Sequence, residues 1–228
     1  MSLRCATAAA VGLSIISLCV IVRGAEYFDI TQTVFDGDTD HKICYHYHGK
    51  LGQRIMIASD KELGFKVYAK YGSSKTISEM QICYTNTNIT ITPDSIAKNN
   101  LTNIKWLDRE LKTDINGFTF TLNGQTIHIN VEGKGRSLKM RVVRIAESDL
   151  SYLNFYFDLL NGKESVDEKI GGLLGLVSEH KFKFYPPVQM KTQRAAVQID
   201  NVVVKAEFKR KRDYMCWFID VLDFINEP

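Results

Sequence analysis

Phe118-Thr119-Phe120-Thr121-Leu122-Asn123-Gly124-Gln125-Thr126-Ile127-His128-Ile129-Asn130-Val131 decides the fold class of this chain of 228 residues. Apolar and polar residues alternate on both sides of the centre, the period of a half-buried strand. The Asn123-Gly124 pair fits a tight hairpin turn whose two positions need positive φ, which these residues tolerate. Working outward, the same alternation marks strands at Ile43 to His48, Arg54 to Ile57, Phe65 to Tyr71, Met80 to Thr85 and Ile89 to Thr92. It resumes at Leu138 to Ile145, Leu153 to Leu160, Phe182 to Tyr185, Val197 to Phe208 and Tyr214 to Val221, with Pro186-Pro187 ending one strand. Single helical turns are expected in Asp167 to Leu176 and in Pro93 to Asn99, both too short for a self-standing amphipathic helix. The sequence therefore predicts one all-β domain over 25–228, with about twelve short strands in a sandwich or partly open barrel and little helix.

Composition narrows the class further. Twenty-nine Lys and Arg stand against 26 Asp and Glu, and 45% of residues are apolar. That composition is globular, and its near-neutral balance argues against a dedicated nucleic-acid binder. At the amino end, Arg4 precedes an apolar run from Ala6 to Val22 that closes on Arg23-Gly24-Ala25. This reads as a secretory signal peptide, residues 1–24, cut after Gly24; an uncleaved anchor is the alternative. No later segment approaches a membrane span, so the expected product is secreted. Two sequons, Asn88-Ile89-Thr90 and Asn100-Leu101-Thr102, would then become glycan acceptors at Asn88 and Asn100. Cys5 and Cys19 leave with the leader. Cys44, Cys83 and Cys216 remain, an odd number from which one disulfide pair is expected in an oxidising compartment.

Cys44 on an early strand, Trp106-Leu107-Asp108, Gly171-Gly172-Leu173-Leu174-Gly175 and Cys216-Trp217-Phe218 follow one another in order. In this series the chain resembles the carboxy-terminal domain of inter-α-trypsin inhibitor heavy chains over roughly Asp29 to Asp220. Phe35-Asp36-Gly37 and the glycine turn give a more distant likeness to von Willebrand type D modules. The resemblance implies an extracellular β-module tied to matrix or to protease-inhibitor assemblies. The heavy chains' amino-terminal and metal-dependent type A domains have no counterpart here. In the family an Asp of an Asp-Pro-His-Phe motif is esterified to chondroitin sulfate; Asp29-Ile30-Thr31-Gln32 stands at that place and keeps only the Asp. Beside the resemblance, a Cys44–Cys216 bond would staple an early strand to the last one and stabilise by about 5 kcal/mol in the chain-entropy model. Cys83 is then the odd thiol, either buried and inert or linked to a disulfide-bonded partner.

Candidates for chemistry are sparse. His46 and His48 stand two apart on one strand face, with His41 upstream, and could hold a metal for a hydrolase, but no third ligand is evident. Asp36, Asp38 and Asp40 alternate near a turn and lack the glycine and terminal Glu of a helix-loop-helix calcium site. Gly133-Lys134-Gly135-Arg136 is a basic turn without the ending of a phosphate loop. His128 and His180 are isolated in sequence. No nucleophile motif and no cofactor motif is found. The densest charge is Lys205, Lys209, Arg210, Lys211 and Arg212, placed between two strands with Lys181 and Lys183 in reach. Such a loop attracts sulfated or carboxylated polysaccharide; a solvated hairpin tip and a basic processing site are its alternatives. The sequence thus predicts a non-enzymatic extracellular binding or structural module associated with hyaluronan, glycosaminoglycan or an extracellular protein. A component of protease-inhibitor complexes and a metal-dependent hydrolase are the alternatives.

Overall fold

A computed structural model describes residues 30–47, 49–72, 76–99, 102–106, 111–115, 117–134, 136–147, 150–159, 170–186, 194–211, 214–221 and 224–225. The expected leader, Asp29, His48, Asn100 and Arg212 lie outside the described residues. Among the described residues the fold is all-β with one short helix. In chain order its strands are β1 (Ile30–Asp36), β2 (Thr39–Tyr45), β3 (Arg54–Asp60), β4 (Phe65–Tyr71), β5 (Ile77–Tyr84), β6 (Thr87–Ile91), β7 (Ile96–Lys98), β8 (Thr102–Ile104) and β9 (Leu111–Ile115). They continue as β10 (Phe118–Asn123), β11 (Thr126–Gly133), β12 (Arg136–Glu147), β13 (Leu150–Leu159) and β14 (Ile170–Gly171). Helix α1 (Leu173–Ser178) leads into β15 (Phe182–Tyr185), β16 (Arg194–Ile199), β17 (Val202–Lys211) and β18 (Tyr214–Phe218).

Backbone pairing sorts these strands into two ladders. The longer runs β15, β16, β17, β18, β2, β1, β13, β12, β11, β10, β9. The shorter runs β14, β3, β4, β5, β6, β7, β8. One residue pair, Leu153 opposite Ile77, bridges β13 to β5. Two junctions are parallel, β18 beside β2 and β1 beside β13; the sheet is mixed and does not close. Alternation then places each side chain. Phe118, Phe120 and Leu122 of β10 point inward with Ile127, Ile129 and Val131 of β11, facing Phe65, Val67, Met80 and Ile82 of the shorter ladder in one core. Tyr84 stacks on Phe118 across that core at 5.1 Å between ring centroids. Each such buried side chain contributes about 1.5–3 kcal/mol.

The central hairpin forms, with its turn one residue later than expected. Asn123 pairs with Thr126, and Gly124, at φ 58°, carries the positive dihedral. This register sets Leu122 against Ile127, Phe120 against Ile129 and Phe118 against Val131. The Asn-Gly turn would have set Leu122 against Gln125, so apolar pairing outweighs turn preference. The expected single strand Val197 to Phe208 is a hairpin, broken at Asp200 with φ 52°. The helical turn expected at Pro93 to Asn99 is a bend followed by β7. The strand expected to reach Val221 ends at Phe218.

The Gly-Leu-Leu-Gly stretch has a steric cause. Gly172 adopts φ 80°, and a Cβ there would lie 2.7 Å from the Met56 carbonyl oxygen. A Cβ on Gly175 would overlap the Ile170 carbonyl. The two glycines let α1 press onto β3 and β14, burying Leu173, Leu174 and Val177. Gln32 on β1 holds the other side: its amide donates to Ser178 Oγ at 3.1 Å and to the Leu174 carbonyl at 3.4 Å, and its carbonyl accepts from the Tyr45 hydroxyl. Burial pushes that hydroxyl's pKa well above the usual phenol value. Among the described residues, no helix is long and apolar enough to cross a membrane.

Candidate functional site

The outward side of the longer ladder carries an unbroken cross-strand row. Arg194, Glu207, Phe218, Cys44, Thr31, Tyr156, Arg141, His128, Thr121 and Lys112 stand opposite one another, one from each of ten neighbouring strands. At its middle, Cys44 is bonded to Cys216, with 6.0 Å between their Cα atoms, and both are fully buried under Phe218 and Tyr214. The bond ties β2 to its parallel neighbour β18. Thr31 Oγ1 lies 3.3 Å from both Cys44 Sγ and the Tyr214 hydroxyl, whose pKa burial raises against that hydrogen bond.

Cations sit over the aromatic rings around the clasp. The Lys42 ammonium lies 5.1 Å above the Tyr214 ring, and the Arg141 guanidinium 4.9 Å above the Tyr156 ring. The two rings meet edge to face at 6.4 Å. Lys209 lies over Phe218 at 4.8 Å and pairs with Glu207 at 2.8 Å. Contacts of this kind are each worth about 0.5–2 kcal/mol, and they hold the charged groups in fixed positions before any ligand arrives. Beside this cluster a shallow groove of about 260 Å³ runs between Thr119, Thr121, His128, Asn130, Lys139 and Arg141. Hydroxyl, amide, imidazole and cation line it, together with Ile129 and Met140. Burial, and then the Arg141 charge, hold the His128 pKa below the usual imidazole value.

The sequence-derived candidates fall in several places. The basic run is not a loop: Lys205, Lys209, Arg210 and Lys211 lie within β17, and the alternation of β17 sends Lys209 and Arg210 to opposite sides. A positively charged stretch reads as a loop in sequence, yet here the buried Val204 and Ala206 supply the inward residues of a strand. Lys205 and Lys209 share the outer face with the row, while Arg212 lies outside the described residues. Lys183 is on β15, over the ring of Tyr185, and Lys181 precedes that strand.

His46 is half-buried just after β2. Upstream, His41 packs on Phe184 at 4.1 Å and edge-on to Trp217 at 6.0 Å. Burial lowers its pKa, against the opposing pull of Asp36 and Asp40. Asp36 accepts a hydrogen bond from the Phe184 backbone N–H at 3.0 Å, and Asp38 and Asp40 are exposed. Among the described residues no three His, Cys, Asp or Glu converge as a metal site would need. Cys83 is a half-buried free thiol on the outer face of the shorter ladder, directly opposite Asn88, whose Oδ1 is 3.8 Å from its sulfur.

Sequence reasoning missed Lys42, Lys112, Lys139, Arg141, Tyr156 and Tyr214. Their only signal was polar parity within alternating strands, which gives a face without giving neighbours. It also missed a pairing of His180 Nδ1 with Asp200 Oδ2 at 2.7 Å. That bond, and the Lys181 backbone N–H on the other oxygen, hold the Asp200 carboxyl below its usual pKa. No family model matches the chain, and no curated protein matches it.

Proposed function

We propose that this chain is a secreted, non-enzymatic extracellular module of the heavy-chain carboxy-terminal type, and that it binds linear acidic polysaccharide on the outer face of its longer ladder. Hyaluronan and sulfated glycosaminoglycans are the ligand class. The observation that carries this reading is the ring-mounted Arg141, on Tyr156, lining a groove with Thr, Asn and Lys139, while Lys42 lies on Tyr214 farther along the same face. Fixed cations attract carboxylate or sulfate through charge, and the neutral hydroxyl and amide lining suits sugar hydroxyls. The shorter ladder supports the reading from the other side. Its outer face bears the sequon residue Asn88, so a glycan carried there would leave the cationic face open.

Retention on immobilised heparin and on immobilised hyaluronan, eluted by a salt gradient, tests the proposal. Lys139→Ala with Arg141→Ala should elute at clearly lower salt than the parent, while Lys66→Ala with Lys70→Ala on the shorter ladder should elute with it. Equal loss from both pairs, or no retention of the parent on either matrix, overturns the reading.

A further inference from the structure

This inference rests on the polyanion reading of the groove. We propose that His128 contacts the bound polyanion and takes up a proton from solvent as the ligand seats, so that binding tightens on acidification. His128 stands mid-groove on β11, with Thr121 opposite on β10 and Arg141 opposite on β12. It is exposed, and among the described residues neither ring nitrogen has a hydrogen-bond partner. The imidazole is therefore not committed to holding the fold together.

The charges around it decide the sign. From β12 come Arg141 and Lys139; from β9, beyond the neutral threonines of β10, come Lys112 and Asp114. Asp114 is engaged by the Thr119 hydroxyl at 3.2 Å. On β11 itself Glu132 accepts from the Asn130 amide at 2.6 Å. In the strand register Thr121 and Arg141 stand opposite His128, and on β13 Asp158 stands opposite Lys139. Partial desolvation, and then Arg141, hold the His128 pKa below the ordinary imidazole value. A carboxylate or sulfate seated between His128, Arg141 and Lys139 brings a negative charge against the ring and raises that pKa. Affinity then rises as pH falls between the bound and free values, and levels off outside them. The step adds one solvent proton to a ring nitrogen; no bond is broken.

Calorimetric titration with heparin oligosaccharides, in two buffers of different ionisation heat, reads the proton directly. Sulfates stay ionised throughout, so a change with pH belongs to the protein. The parent should take up part of a proton and bind about three- to tenfold tighter at about pH 5.5 than at about pH 7.5. In H128Q both the uptake and the rise should vanish. Hyaluronan oligosaccharides form the second arm: their carboxylates titrate near pH 4, so the rise should turn over only below about pH 5. Salt-sensitive binding without proton uptake, or an unchanged rise in H128Q, overturns the role of His128 and leaves the groove standing. Absence of binding at every pH, with K139A/R141A behaving as the parent, overturns both.

Discussion

The two ladders share one core and present unlike outer faces. On the longer, residues from ten strands align into a row with buried Phe218 and Cys44 at its centre, stiffened there by a disulfide and by cations resting on rings. The shorter carries Arg54, Lys66 and Lys70, but Lys70 faces Glu79, and Arg54 lies on Tyr68 and donates to Gln81. Its other distinctive outward residues are the free Cys83 and the sequon Asn88. On both faces cations rest on rings or stand by carboxylates, as Arg54 does on Tyr68 and Lys209 beside Glu207; in the longer ladder Lys139 and Arg141 also line a groove with Thr119, Thr121 and Asn130.

The clasp gives the largest test of that difference. Cys216→Ser should lower unfolding stability by about 5 kcal/mol, measured by denaturant titration without reductant, whereas Cys83→Ser should cost less than about 1 kcal/mol. Equal losses would show that the longer ladder does not depend on its covalent tie. Next in size, Gly175→Ala forces a methyl onto the Ile170 carbonyl and should cost about 3 kcal/mol, while Gly64→Ala, with open space at its Cβ but φ 71°, should cost about 1 kcal/mol. Smaller still is a pH effect on β2 of the longer ladder. Burial depresses the His41 pKa, so the unfolded chain binds more protons than the folded one just below the ordinary imidazole value. Stability should therefore fall as pH drops through that range, and His41→Phe should flatten the fall in thermal melts taken across pH 7 to about pH 5. The least effect is expected from Asn88→Gln, which should leave retention on heparin within about twofold of the parent, because the residue faces away from the row.

Much of the fold was legible because alternation is a local property. Phe118 to Val131 declares its inward side, and even the misplaced turn preserved that side. The pairing of Cys44 with Cys216 was legible from the resemblance and from their places on early and late strands. β1 was not, since its inward and outward residues include Thr31 and Gln32, both buried, and alternation looks for apolar residues. Gln32 is tolerated there because Tyr45, Leu174 and Ser178 satisfy its amide, partners drawn from far along the chain. The candidate site was illegible for a related reason. Lys42, Arg141 and Tyr156 are unremarked in their own segments, and only strand order brings them side by side. The basic run drew notice by density, although its strand geometry divides it between two faces.

Strand order also bears on how the polypeptide matures during synthesis. β1 and β2 emerge early as a hairpin, yet β1 needs β13 on its free edge and β2 needs β18. Both partners leave the ribosome only after most intervening residues have been made. Until then the nascent hairpin offers two unfilled edges, which invites pairing with neighbouring chains. Chaperone cover over Ile30–Tyr45, held until residues 214–218 arrive, is therefore a demand the topology places on any cell that makes this protein.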